Sequence, residues 1–519
     1  MRRAWIAAGS IAGLSLGASA TAIAATGGGE LRVGSAAEID TNALRDALAA
    51  TRAAPGAVPP VAGTPIGVED AIRIALEHNL PLRIAALDRA IAEHEVPART
   101  AFFHPTPGYQ FLATNTRIEN PLTGGDSGPV TQSPGANDGT SRLQRAFVRQ
   151  QLPTGGLATV GVDLLRESGD DFNDGKVFEG GAQLELRQPL MRGGRIYVAT
   201  APIRDAEYGL GVFEAQLQTQ ILIVTANAKQ AYYNTVLAQR LIEVSEQAIE
   251  RDHGVIEASQ ALFRAGRASQ RDIVSAELQL SDDLSDLAER REALDLTDLA
   301  LRDVLGLAIG DAVRPAEMTI PFQPVEIRLD EWIARALEDR PEVQQILYRL
   351  DQSSLAVRVA QNSVLPQLDL VGLYRRNDFD TAAARALGFN SHLWVAGVEF
   401  EIPFGNVAAR ERLREFSLQH ARVERELESQ KRIIELQVRT EEAGLRKNLA
   451  EVEVQTDKVE QARKKLEIAT VRFQRGIADN FDVTDAQTDL VEAESDLLAA
   501  IVDYTNGLAR LEASIAGPL

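Results

Sequence analysis

The chain has 519 residues, 45% of them hydrophobic, with a net charge of −20 and a pI near 4.9. That acidity excludes a nucleic-acid binder, because phosphate recognition needs a basic footprint. Cysteine is absent, which removes disulfides, thiolate catalysis and a lipid-modified N-terminal Cys, while three Met and six scattered His argue against a soft-metal site.

Residues 1–24 read as a secretory signal: Arg2 and Arg3 form a positive start, Trp5 to Leu16 an apolar stretch, and Ala22-Ile23-Ala24 a small-residue cleavage site. The mature chain is expected to begin near Ala25. Past this point no run approaches the roughly 20 apolar residues of a membrane helix. Residues 25–66 are rich in Ala, Gly and Pro (Pro55, Pro59, Pro60, Pro65), and are expected to be an arm or linker with no place in a core.

From Val68 to about Arg99 the apolar residues recur at helical spacing (Val68, Ile72, Ala75, Leu76, then Ile84, Leu87, Ile91). The pattern returns 261 residues later, where Leu329 to Glu338 aligns with Val68 to Glu77; Pro105 and Pro366 keep the same offset. Each of these prolines is expected to end a helix, since the ring blocks the hydrogen-bond ladder and pushes the preceding residue out of the α region.

Period-two segments follow each proline. Leu368, Leu370 and Tyr374 alternate with Gln367 and Asp369. Trp394, Ala396, Val398, Phe400 and Ile402 alternate with Val395, Gly397, Glu399 and Glu401. Ala182, Leu184 and Leu186 alternate with Gln183, Glu185 and Arg187. One apolar and one polar face suits a half-buried soluble strand, and equally a membrane-barrel strand with lipid on one side and a lumen on the other. The secretory signal and the lack of partner helices for a soluble core favour the barrel. In the first half, Pro153-Thr154-Gly155-Gly156 followed by alternation over 157–165 has no counterpart downstream, and predicts an extra hairpin there. Loops rich in Gly, Pro and Asp lie at 119–141 and 167–178, and another is expected near 377–390.

Pro189 and Pro403 then return the chain to helix. Residues 200–262 and 273–307 carry apolar positions at helical spacing, as do the segments around Leu445 to Leu466 and Leu490 to Leu511. A sixty-residue helix would be on the order of 90 Å long, which demands coiled-coil or tube-like packing. Each pair of long helices is interrupted by a short tip. Phe263, Gly266 and Asp272 in the first tip match Phe473, Gly476 and Asp482 in the second, all 210 residues apart. The glycines suit a left-handed helix end, and Asp479 or Asp482 suits a helix cap. The chain is therefore a tandem duplication. The first repeat covers 67–315 with its tip near 263–273, the second 325–519 with its tip near 473–485.

This doubled order of helix, Pro, strands, Pro, long helix, tip and long helix resembles the TolC-like outer membrane efflux protein family. The residues that carry the resemblance are Gln188-Pro189-Leu190, Ile402-Pro403-Phe404, Pro105, Pro366, and the tips with Asp272/Ala276 and Asp482/Ala486. It covers about residues 67–515. The resemblance implies an α+β membrane protein and a homotrimer that shares one outer-membrane β-barrel, continued by a periplasmic α-helical coiled-coil barrel. It implies a passive duct of a tripartite efflux or type I secretion system, served by a periplasmic adaptor and an inner-membrane RND or ABC pump, with no cofactor. The extra hairpin would take the strand count per protomer above the family's usual four.

By the same resemblance Asp482 and Asp485 match the family's acid ring at the periplasmic entrance, with Phe473 beside the constriction. Three residues apart on a helix, the two carboxylates share a face. Helix capping and dipole complementarity are the alternative reading of Asp482. Ala478 stands where the family carries a tip arginine. No catalytic motif is present: there is no His-Glu-x-x-His, no Walker A and no nucleophile elbow. Arg192-Gly193-Gly194-Arg195 reads as a turn after the proline switch. A structural coiled-coil protein of the envelope, without a conduit, is the alternative to a duct.

Overall fold

The computed structural model describes residues 64–118, 137–169, 176–308, 310, 313–316, 319–475 and 477–518. The signal segment, most of the N-terminal arm, the Gly/Pro-rich loop after residue 118 and Gly476 lie outside the described residues.

The first repeat opens with β1 (Thr64–Ile66), α1 (Val68–His78) and α2 (Leu80–Thr100). The arm was expected to stay outside any core, yet its last three residues form β1, which pairs in parallel with β6 (Val313–Pro315), and Ile66 is buried. A single apolar side chain in a Pro-rich stretch carries no periodicity, so this contact had no sequence signal. Asn79 separates the two helices and caps α2, its side chain accepting from the Leu82 N–H at 3.1 Å. Arg340 takes the same place between α6 (Leu329–Asp339) and α7 (Pro341–Ser363) in the second repeat. Proline at the start of α2 and α7 suits the first turn, where no donor is needed.

The strands are β2 (Thr106–Ile118), β3 (Asn137–Gln151), β4 (Leu157–Gly169) and β5 (Val177–Pro189) in the first repeat, and β7 (Gln367–Asp380) and β8 (Ser391–Glu401) in the second. They form one six-stranded sheet in the order β2-β3-β4-β5-β7-β8, antiparallel throughout. The extra hairpin of the first half is β3–β4. Its tight turn is closed by Leu152 N–H to Gly156 O (2.7 Å), with Gly155 at φ +85°. β7 continues to Asp380, four residues into the segment expected to be loop, because Asn377 still pairs with Ser391 and Asp380 with Phe178.

Pro105 lies between a short 3-10 turn (Ala101–Phe103) and β2, and Pro366 between α7 and β7. Pro189 is the last residue of β5, and Pro403 follows β8. After β5 the chain runs through α3 (Ile196–Ala199) into α4 (Ala201–Arg264, 64 residues), turns, and returns as α5 (Gln270–Leu305). The second repeat has α8 (Ala383–Ala386) between its strands, then α9 (Val407–Gln474, 68 residues) and α10 (Asn480–Ser514). At 1.5 Å per residue α4 and α9 are each roughly 100 Å long. Among the described residues no helix is apolar enough to cross a membrane.

Each repeat supplies most of one core, with Val502 of α10 joining the first. In the first, Ala71, Ile74 and Leu82 pack on Val224, Tyr232, Val236, Leu301 and Leu305. In the second, Trp332, Ala336 and Val343 pack on Ile434, Val438, Tyr504 and Leu511. α10 lies along α4, joined by Asn506 to Asn234 (2.9 Å) and Lys229 to Glu512 (2.6 Å). α5 ends at Gly306 (φ +69°), whose missing side chain admits the His78 carbonyl; any Cβ there would collide with it. The stretch between the repeats lies against α10, where the Tyr504 hydroxyl receives the Val325 N–H (3.0 Å) and donates to Gln323 O (3.2 Å).

Candidate functional site: a two-faced wall and the hairpin tips

Pairing register sorts the sheet into two faces, because every strand alternates with period two. One face carries Tyr109 and Phe111 on β2, Ala146 and Val148 on β3, Val160 and Val162 on β4, Leu184 and Leu186 on β5, Leu370 and Tyr374 on β7, and Trp394, Val398 and Phe400 on β8. Its side chains are exposed across all six strands. Burying so wide an apolar surface needs a partner or a lipid phase. The other face carries Arg145, Arg149, Asp163, Glu179, Glu185, Arg187, Asp369, Arg375, Glu399 and Glu401.

The charges of this second face are tied across strands. Arg187 on β5 bridges Asp369 on β7 (2.9 Å) and Glu399 on β8 (2.7 Å). Arg375 on β7 reaches Glu179 and Gln183 on β5 (both 3.0 Å) and continues to Asp163 on β4 (2.8 Å). It passes over Gly181, where a Cβ would lie 2.6 Å from the guanidinium. On β3 the Phe147 ring lies on Gly108 of β2, flanked by the guanidinium groups of Arg145 and Arg149 at 5.8 and 5.4 Å.

At the first tip α4 closes in a left-handed turn: Gly266 has φ +72°, and Arg267 N–H reaches back to Leu262 O (2.8 Å). α5 then begins with a capping box. The Asp272 carboxylate accepts from the Ser269 backbone N–H (2.7 Å) and hydroxyl (2.9 Å). The second tip keeps the same closure, Ile477 N–H to Arg472 O at 3.0 Å. Its cap is Asp479, which accepts from the Asp482 N–H (3.4 Å). Asp482 therefore sits in the first turn of α10, exposed, with no ion pair among the described residues. Asp485 is also exposed but is paired: Lys465 on α9 reaches it at 2.6 Å and Asp489 at 2.5 Å. These two hydrogen bonds hold the Lys465 ammonium up at about 12. The sequence search missed Lys465, because a cation twenty residues upstream is a neighbour only once the hairpin is folded.

Phe473 does not present itself to solvent. It is 4% exposed and packs with Val255, Ala276, Ala469, Val483 and Ala486, a cluster drawn from all four long helices. It sits in the core joining the two hairpins, and the exposed aromatic of this tip is Phe481. Asn480 adds a polar tie there, donating to Asp272 O at 2.6 Å. Higher on the first hairpin, Asp252 is 2% exposed beside Asp283. Burial first, then the Asp283 charge and a hydrogen bond to it, push its carboxyl up to about 7, against the opposing pull of Arg251.

A sheet with one apolar and one charged face, feeding two helices of about 100 Å that each fold back on a shorter partner, is the protomer architecture of an outer-membrane channel. The chain belongs to the outer membrane efflux protein family, whose family model matches residues 157–307 and 332–517. The resemblance seen in the sequence is thereby confirmed. Solved structures share the fold. The CmeC outer membrane channel of Campylobacter jejuni matches at TM-score 0.64 and 15% identity, over 87% of this chain and 85% of CmeC. The outer membrane protein VceC of Vibrio cholerae matches at 0.63 and 15%, over 87% and 96%. The open-state MtrE outer membrane channel of Neisseria gonorrhoeae matches at 0.61 and 16%, over 89% and 94%. No curated protein sequence matches the chain. Family members are channels of the outer membrane whose helices extend into the periplasm, and those are the role and place of this chain.

Proposed function

We propose that three copies of this chain close into one outer-membrane barrel and one periplasmic helical tube, forming the passive exit duct of a tripartite efflux or type I secretion system. The observation that carries this reading is the two-faced sheet itself. Its apolar face suits lipid and its charged face a water-filled lumen. Its two edges, β2 and β8, are unpaired among the described residues, and six antiparallel strands leave them pointing in opposite directions, so that β8 of one copy fits antiparallel beside β2 of the next. Closure removes both edges, which an open sheet would leave as aggregation sites.

The long helices support the same assembly. Val274, Leu278, Leu284, Leu296 and Leu299 on α5 are exposed, as are Leu418, Leu436, Val454 and Ile468 on α9. A second copy of the chain supplies the cover these residues lack. A periplasmic adaptor and an inner-membrane RND or ABC pump would complete the path, since the sequence carries no Walker A motif with which to power transport itself. An envelope scaffold without a conduit needs no apolar face opposite a charged one.

The test is extraction and conductance. Native outer membranes should yield an SDS-resistant, heat-modifiable trimer only with detergent, and the trimer should form ion-conducting pores in planar bilayers. Release by salt alone, or a trimer that never conducts, would leave the scaffold reading standing.

A further inference from the structure

The two repeats differ most in length between their equivalent prolines. Between Pro366 and Pro403 there are two strands within 37 residues; between Pro105 and Pro189 there are four within 84. β2 and β7 follow equivalent prolines, and β5 and β8 precede equivalent prolines, so β3–β4 is an insertion into the duplicated plan.

The insertion is knitted into the sheet. β3 pairs with β2 over thirteen residues and β4 with β5 over eleven, without a bulge. The apolar face runs unbroken through it, with Ala146, Val148, Val160 and Val162 all outward. On the charged face, Asp163 of the insertion is tied to Arg375 of the second repeat across the whole width of β5. Gly181 leaves the space that this bridge occupies. A hairpin folded away from the wall would break that bridge and leave Asp163, whose side chain is 6% exposed, without its cation.

We infer that the inserted hairpin is a permanent part of the barrel wall, so that three chains close eighteen strands instead of the twelve that four strands per protomer would give. This inference rests on the trimeric duct proposed above. Strand spacing near 4.8 Å and a tilt near 40° give a backbone diameter of about 36 Å for eighteen strands, against about 24 Å for twelve. After roughly 5 Å of side chain on each side, the free width is about 26 Å against about 14 Å. An α-helix with side chains is about 10–12 Å across. The outer-membrane segment of this duct therefore sets no size limit on bulky cargo as thick as a helical hairpin, and selection by size falls to the helical tips.

The absence of native cysteine makes the test direct. Single variants Arg145→Cys and Arg149→Cys face the lumen, and Ala146→Cys, Val148→Cys and Val160→Cys face lipid. Glu399→Cys and Val398→Cys on β8 are the corresponding controls. In intact cells a charged, membrane-impermeant thiol reagent should label the lumen set at least tenfold faster than the lipid set, on the hairpin as on β8. Equal rates over the hairpin with alternation kept on β8 would overturn the inference and leave the duct intact. Loss of alternation on β8 as well would overturn the duct reading. Averaged particle images of the detergent-extracted trimer give the second measure. Removing residues 119–169 joins β2 to β5 as β7 is joined to β8, and should shrink the barrel diameter by about a third. An unchanged diameter would overturn the inference; if the shortened chain does not assemble, the labelling pattern decides.

Discussion

Lys465 Nζ stands 2.6 Å from Asp485 Oδ2 and 2.5 Å from Asp489, so one of the two acids of the proposed entrance ring is already neutralised within its own chain. Among the described residues Asp482 is the acid left without an ion pair. Asp482→Ala alone should then remove most of the cation selectivity of reconstituted pores and their block by divalent cations from the periplasmic side. Asp485→Ala alone should do little. Lys465→Met, which frees Asp485 and Asp489, should raise selectivity above wild type. These are reversal-potential measurements in a salt gradient. If Asp482→Ala lowers the unfolding midpoint and leaves selectivity untouched, Asp482 serves only the α10 dipole.

The buried Asp252 makes the first hairpin sensitive to pH. Its carboxyl titrates near 7 in the folded chain against about 3.8 unfolded. The folded state thus holds the extra proton between those values, and stability falls as pH rises from about 4 to 7, then levels off. Thermal midpoints at pH 5 and pH 8 should differ in wild type. Asp252→Asn should abolish most of that difference and stabilise the protein at pH 8 by about 1–3 kcal/mol. Asp283→Asn should give part of the same gain by removing the second charge. An unchanged pH profile in Asp252→Asn would refute the assignment.

Arg187 holds two acids on the charged face of the sheet, and Asp369 is nearly buried. Arg187→Ala strands that carboxylate. The expected cost is about 3 kcal/mol, read as a lower temperature for heat modification of the trimer in SDS. Asp369→Asn combined with Arg187→Ala should recover much of it, because no buried charge is then left unpaired and the remaining acid, Glu399, is exposed to water.

Tyr504 is 1% exposed and spends its hydroxyl on the backbone of the stretch linking the repeats. Tyr504→Phe leaves the Val325 N–H without its acceptor, at a cost of about 1–2 kcal/mol. Limited proteolysis should cut faster near residues 323–326. Equal cutting rates would show that the stretch is held by Phe322 and Val325 packing instead.

The sequence is expected to be cut after Ala24. N-terminal sequencing of protein from native outer membranes should read Ala25 first, and an intact Arg2 would refute this.

The duplication, the long helices and the strand alternation were readable from the residues alone, because each depends on spacing along one segment. A period of two or 3.6 writes burial directly into the chain. Pro105, Pro189, Pro366 and Pro403 mark changes of backbone type for the same local reason. The tip turns, too, are local: Gly266 and the Ser269–Asp272 capping box need only neighbours within a few residues.

The tertiary structure decided everything that depends on partners far apart in sequence. Phe473 looks like any tip aromatic until α4, α5, α9 and α10 converge on it. Lys465 meets Asp485 only because a hairpin folds back, and Arg375 meets Asp163 only because β7 and β4 flank the same strand across 212 residues of chain. Strand order is of this kind as well. The sequence marks β3–β4 as a hairpin, but its place in the wall is set by hydrogen bonds to β2 and β5, whose register no local pattern records.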